Sequence, residues 1–231
     1  MNVRDASRVE MSLSEVRKNG FSGISIVNGG SQGTLGNSTT IAENSKNGVE
    51  VGNGASLEGK GVTISENHKS GLAMQSSGSK AALEASCVFS SNGEHGIIAS
   101  DAARLTLSNS TCSENKEHGL YLTKGAAAEI TSCHFKSNGV VGIYQDLGTS
   151  GTLKVSKTDF QSHAEAGVVV GEGSGDVSDC VFSANKMAVL FGENAGGTAT
   201  GNRIQPGPLA DVLIMETPAK VRAENNTIDP P

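Results

Sequence analysis

Three sets of residues in this chain have types and spacings that could do chemistry. The tripeptide Glu-His-Gly occurs twice, setting His95 and His118 in equivalent places with Glu94 and Glu117 beside them. Two imidazoles flanked by carboxylates could relay a proton or hold a weakly bound metal. Two imidazoles and flexible acids fall short of a metal-ligand pattern, however, and duplication of a solvated turn accounts for the tripeptide more simply. No metal or cofactor is called for. The two tyrosines, Tyr121 and Tyr144, are also equivalently placed; such rings stack on apolar surface, including that of sugars, while their hydroxyls donate hydrogen bonds. Finally, Glu129, Lys154 and Asp176 put a base between two carboxylates, the equipment that cleavage or proton abstraction on a sugar chain requires. His134 and Asp159 lie nearby in the same register.

These spacings share a period, and the elements that set it position the candidates. Aligning on an apolar residue followed three positions later by Asn gives VRKN at Val16, IAEN at Ile41, ISEN at Ile64, FSSN at Phe89, CSEN at Cys112 and FKSN at Phe135. The series continues through FQSH at Phe160, FSAN at Phe182, Ile204 and Ile228. Ten registers of 22–25 residues therefore fill the 231 residues, the signature of a solenoid whose units bury their apolar faces against one another. Within a unit the period is two: Leu105 and Leu107, then Ser110 and Cys112, then Leu120 and Leu122 flank outward residues. The prediction is an all-β, single-domain parallel β-helix over residues 1–231, with about ten coils of three short strands each, roughly 48 Å long. With 30 Gly, six Phe and no Trp, a conventional globular core would lack large fillers.

The recurring Asn is expected at a corner, in the left-handed backbone region that Asn tolerates best among non-glycine residues. Asn19, Asn44, Asn67, Asn92, Asn115, Asn138 and Asn185 would then form a hydrogen-bonded file, with His163 in one place. The Gly four residues on marks a further corner, where a Cβ would crowd the stack or φ is positive. Cys87, Cys133 and Cys180 fall two residues before the Phe column and Cys112 within it. Same-column cysteines are about 9.6 Å apart, beyond disulfide reach, so four free, buried thiols acting as small fillers are expected.

Ladder, columns and period together resemble the right-handed parallel β-helix family of the pectin-lyase-like superfamily, in particular its NosD-like and carbohydrate-binding "right-handed β-helix region" repeats. The resemblance covers essentially the whole chain and implies a right-handed coil. It implies less about activity, because this scaffold carries lyases, hydrolases, epimerases and binding modules alike. The hydrolases it resembles carry paired aspartates and Gly-His-Gly; this chain has no Asp-Asp pair and has Glu-His-Gly instead.

On the third strand the outward column reads Ser25, Glu50, Ala73, Ile98, Tyr121, Tyr144, Val169, Leu190 and Leu213, allowing a one-residue deletion before Leu190. An exposed apolar stripe in so aromatic-poor a chain marks a contact. The residues expected to bind are Ile98, Tyr121, Tyr144, Val169 and Leu190, and the occupant a carbohydrate or a protein. The reading is a non-catalytic recognition module; the alternative is a polysaccharide-modifying lyase, hydrolase or epimerase built on Glu129, Lys154 and Asp176. A net charge of −6 with no basic run excludes nucleic acid held through its phosphates. No run of apolar residues is long enough to span a membrane. The charged N-terminal residues are not expected to act as a signal peptide; as part of a longer exported chain the protein would be extracellular or periplasmic. The open ends of a β-helix present unpaired strand edges suited to end-to-end or lateral self-association.

Overall fold

A computed structural model describes residues 1–146, 151–205, 211–215 and 220–229. Every pairing between its strands is parallel, and partners lie one coil apart. In a well-formed coil the first strand is Arg104–Ser108, the second Thr111–Ser113 and the third Leu120–Leu122. The second strands stack into one ten-stranded sheet, from Glu15–Arg17 to Thr227–Ile228; the first and third strands form an 18-stranded sheet around the rest of the coil. Strands stay short because turn residues interrupt each apolar pair, and alternation then sends one side chain in and the next out.

The inward side chains form files. Ile41, Ile64, Phe89, Cys112, Phe135, Phe160 and Phe182 stack in one, and Ile24, Val49, Leu72, Ile97, Leu120, Ile143 and Val168 in another, all buried. The rings of Phe135, Phe160 and Phe182 lie face to face, with centroids 5.2 and 5.0 Å apart. Stacked rings of one size fill a column of constant cross-section without voids.

The corner amides form the expected file, but their backbone is not left-handed. The residue before each one is: Lys18, Glu43, Glu66, Ser91, Glu114, Ser137, Ser162 and Ala184 all have φ between 53° and 60°. The bend at that residue turns the next side chain inward and leaves nearby peptide groups without strand partners. Asn is needed because its amide replaces those partners. Asn115 shows how: its Oδ1 accepts from the N–H of Asn92 (3.1 Å) and from Asn92 Nδ2 (3.0 Å), while its Nδ2 donates to Asn138 Oδ1 (2.9 Å) and to the Phe89 carbonyl (3.0 Å). The same bonds run from Asn19 through Asn44, Asn67 and Asn92. The following glycines do not have positive φ; they are required by space. A Cβ on Gly119 would lie 2.6 Å from Phe135 Cδ1 and 2.7 Å from the Gly142 carbonyl oxygen.

The corner before each second strand repeats this logic. Ser86, Asn109, Ser132, Lys157, Asp179 and Asn225 are left-handed there, and Cys87, Ser110, Cys133, Thr158, Cys180 and Asn226 follow. These cysteines are free and buried, as expected, yet they are more than fillers. Cys133 Sγ faces the carbonyls of Thr131 (3.4 Å) and Leu107 (3.6 Å), and Ser110 and Thr158 hydroxyls donate to the equivalent carbonyl two residues back at 2.8 Å. Near the C-terminal end this file ends in amides, where Asn202 Nδ2 donates to Asn226 Oδ1 (2.9 Å).

Beyond His163 the three-strand plan changes. The third strand of one coil runs without a break into the first strand of the next, giving continuous strands Ala166–Ser178 and Met187–Thr200, with a register shift between Val170 and Glu172.

Candidate functional site

The outward column of the third strand is aligned as expected: Ser25, Glu50, Ala73, Ile98, Tyr121, Tyr144, Val169 and Leu190 pair in sequence. Its last member differs. Leu190 pairs with Ile214, whereas Leu213 pairs with Val189 of the inward file: the interval from Ile204 to Ile214 is ten residues, where the coils before the deletion have nine. The stripe is also less open than a bare outward column would be. Val169 is buried at 7% exposure, and Ile98, Tyr121, Tyr144 and Leu190 are half-buried.

What covers it is a second outward column three residues nearer each ladder position. There Ser70, His95, His118, Val141, Ala166 and Met187 precede the corner glycine or its replacement, Ala188. The repeat alignment contains this column, but nothing in the residue pattern shows that it packs on the stripe. It joins two features the sequence presented separately, the Glu-His-Gly histidines and the tyrosines. His95 and His118 stack with centroids 5.3 Å apart, and Tyr121 and Tyr144 with centroids 5.8 Å apart. His118 also stacks on Tyr144 at 5.0 Å, and His95 leans on Tyr121 at 4.9 Å. Toward the C-terminus Tyr144 meets an outer apolar cluster of Val141, Ala166 and Val169, with Val140, Met187 and Leu190 packed on it.

The four rings therefore cover one another's faces. The face-on platform that stacking on a sugar needs is occupied by neighbouring rings and valines; ring edges remain for a partner. Tyr121 donates its hydroxyl hydrogen to Asp146 Oδ2 at 2.7 Å, and Thr123 donates to the same oxygen at 3.3 Å. Burial, aided by this carboxylate, pushes the Tyr121 phenol up to about 12, so it stays a donor. Asp146 and Thr123 escaped the sequence reading because they stand one outward position further along the strand.

The turn holding the two histidines is not the solvated turn expected. His95 is 7% exposed. Its Nδ1 accepts from the N–H of His118 at 3.4 Å, so Nε2 carries the proton and faces Glu117 Oε2 at 3.3 Å. Burial pushes both imidazoles down to about 4, with His95 adding to the effect on His118. Neutral rings with this bonding relay no proton at neutral pH, and neither His95 nitrogen offers a free lone pair to a metal. Among the described residues no three His, Cys, Asp or Glu side chains converge on a common point.

The acid and base candidates lie on the first strands. Glu129, Lys154 and Asp176 pair in register on successive coils. Glu129 and Lys154 are exposed; Asp176 is half-buried and accepts from the Thr198 hydroxyl at 2.9 Å. A shallow depression beside them is lined by Arg104, Thr106, Glu129, Thr152 and Lys154. On the outer face of the second strands His134 Nδ1 meets Asp159 Oδ2 at 3.0 Å, both exposed. No described helix is long and apolar enough to cross a membrane.

Compared with known proteins, residues 2–152 match a family model described as the right handed beta helix region. No curated protein matches the chain.

Proposed function

Because the chain belongs to the right-handed β-helix family, a scaffold on which function resides in side chains mounted on the coil, we propose that it is a non-catalytic recognition module. Its contact surface is the outer face of the third strands from Ile98 to Leu190, and its partner is a protein. The observation that carries this reading is the packing of His95, His118, Tyr121 and Tyr144 on one another. A self-covered aromatic ladder offers edges and flanking aliphatic groups, which suit the apolar side chains of a protein better than the flat faces of sugar rings. Carbohydrate remains the competing occupant, and one experiment separates the two. The protein is applied in parallel to a glycan array and to a displayed peptide library. Selection of apolar peptides, lost in an Ile98→Asp/Leu190→Asp variant that keeps its β circular dichroism, supports the reading. Glycan binding abolished by Tyr121→Ala/Tyr144→Ala would overturn it.

The register of Glu129, Lys154 and Asp176 favours a second reading, polysaccharide modification. The two carboxylates are two strand spacings apart, about 9.6 Å between backbones, near the upper end of the separation used for inverting hydrolysis. Turnover of a polyuronate or neutral glycan that disappears in Lys154→Ala and Glu129→Gln would establish it.

A further inference from the structure

The amide file has one foreign member, and it stands where the architecture changes. Six Asn residues, from Asn19 to Asn138, bond one to the next; His163 then takes the corner position, and Asn185 follows. His163 is 3% exposed. Its Nδ1 accepts from the N–H of Asn138 at 3.2 Å, and its own N–H donates to Asn185 Oδ1 at 3.0 Å. The ring thus does the acceptor work of an Asn Oδ1, and this fixes the neutral tautomer with hydrogen on Nε2. Nε2 is buried and reaches no acceptor in hydrogen-bonding geometry. Immediately beyond lie the continuous strand Ala166–Ser178 and its register shift against Met187–Thr200.

An imidazolium is poorly served here: the Asn138 and Phe135 backbones favour it, but burial outweighs them. In the wound state its Nδ1–H would point at the Asn138 N–H, donor against donor, inside an apolar column beside Phe160, whose ring centroid is 6.5 Å away. Asn138, Asn185, Phe135, Phe160 and Gly142 surround the ring, and none carries a charge. The charged residues of its own and adjoining corners, Glu165, Lys136 and Lys186, are exposed, as are His134 and Asp159 on the outer face of the second strands. Water screens them, so none stabilises a buried cation.

We propose that His163 is an acid-sensitive joint: protonation of its ring releases the coils C-terminal to it from the amide file while the coils N-terminal to it stay wound. Burial pushes this imidazole down to about 4 in the wound state. A released ring in water recovers an ordinary value near 6.5. Opening therefore takes up a proton between these values and becomes easier as pH falls, by about twenty-fold at pH 5 relative to pH 7. His95 titrates in the same range but lies on an outward column beside Glu117, where rotation of one ring into water relieves the charge without unwinding a coil.

The test is hydrogen exchange followed by mass spectrometry on the intact chain at pH 7 and pH 5, corrected for intrinsic exchange. Peptides from Ala166–Thr200 should lose protection at pH 5, and peptides from Ile41–Cys112 should not. His163→Asn, which restores the amide acceptor, should abolish the difference. Equal pH sensitivity in His163→Asn, or loss beginning in the N-terminal coils, would overturn the proposal. If that variant does not fold, the wild-type imidazole nitrogen resonances decide. A ring carrying hydrogen on Nε2 that titrates well below 6.5 supports the joint, and ordinary titration rejects it.

Discussion

Replacing Asn115 by Ala removes four hydrogen bonds at once, two accepted by Oδ1 and two donated by Nδ2, at a position 1% exposed. The Asn92 N–H and the Phe89 carbonyl are left without these partners inside the core. A net value of about 0.5–1.5 kcal/mol per bond gives a loss of about 2–6 kcal/mol, toward the upper end because buried groups are left unpaired. At the end of the file, Asn19 is only half-buried and its Nδ2 donates to Asn44 Oδ1 (2.8 Å) and the Arg17 carbonyl (3.3 Å); Asn19→Ala should cost about 1 kcal/mol. The decisive comparison is Asn115→Gly. Were the Asn there for a left-handed backbone, glycine would rescue most of the loss. Because Glu114 carries the positive φ of 56°, glycine at 115 should be at least as damaging as alanine. Urea unfolding followed by far-ultraviolet circular dichroism, with exchange of the Asn92 amide as the local readout, measures all three. An Asn115→Gly protein close to wild type, or equal losses at positions 19 and 115, would refute the account of the ladder.

Glu114→Gly should stabilise the protein by up to about 1 kcal/mol in the same unfolding assay, since glycine adopts the left-handed conformation without a Cβ clash. Gly119→Ala should destabilise by about 1–3 kcal/mol, its Cβ being driven against Phe135 and the Gly142 carbonyl. Acidification should disturb the aromatic ladder. The folded-state value of His95 lies below its unfolded value, so its contribution is complete above pH 6.5 and is lost as pH falls toward about 4. That loss is at most about 3 kcal/mol and should appear as a change in tyrosine near-ultraviolet dichroism that His95→Gln removes. The four thiols should resist a thiol-specific reagent until the chain unfolds, because burial raises Cys87, Cys112, Cys133 and Cys180 and keeps them protonated. Rapid native labelling of any of them would contradict their placement.

Much of this protein is determined by its sequence alone. A period of 22–25 residues, carried by Phe89, Cys112, Phe135 and their equivalents, dictates coils, and alternation within each short run dictates which side chains point inward. The registers of Tyr121 with Tyr144 and of Glu129, Lys154 and Asp176 follow from counting, because stacked parallel strands of one period pair equivalent positions. Tertiary structure decided what counting does not contain. That Glu114 and not Asn115 bends the backbone depends on φ at a corner, to which the residue pattern is nearly blind once an Asn is present. That His95 and His118 cover the tyrosines depends on side chains from neighbouring columns meeting across coils. Whether an outward residue is wet or buried is a property of those neighbours. An alternating pattern assigns a face to each residue, and only the packed coil shows what lies on that face beside it.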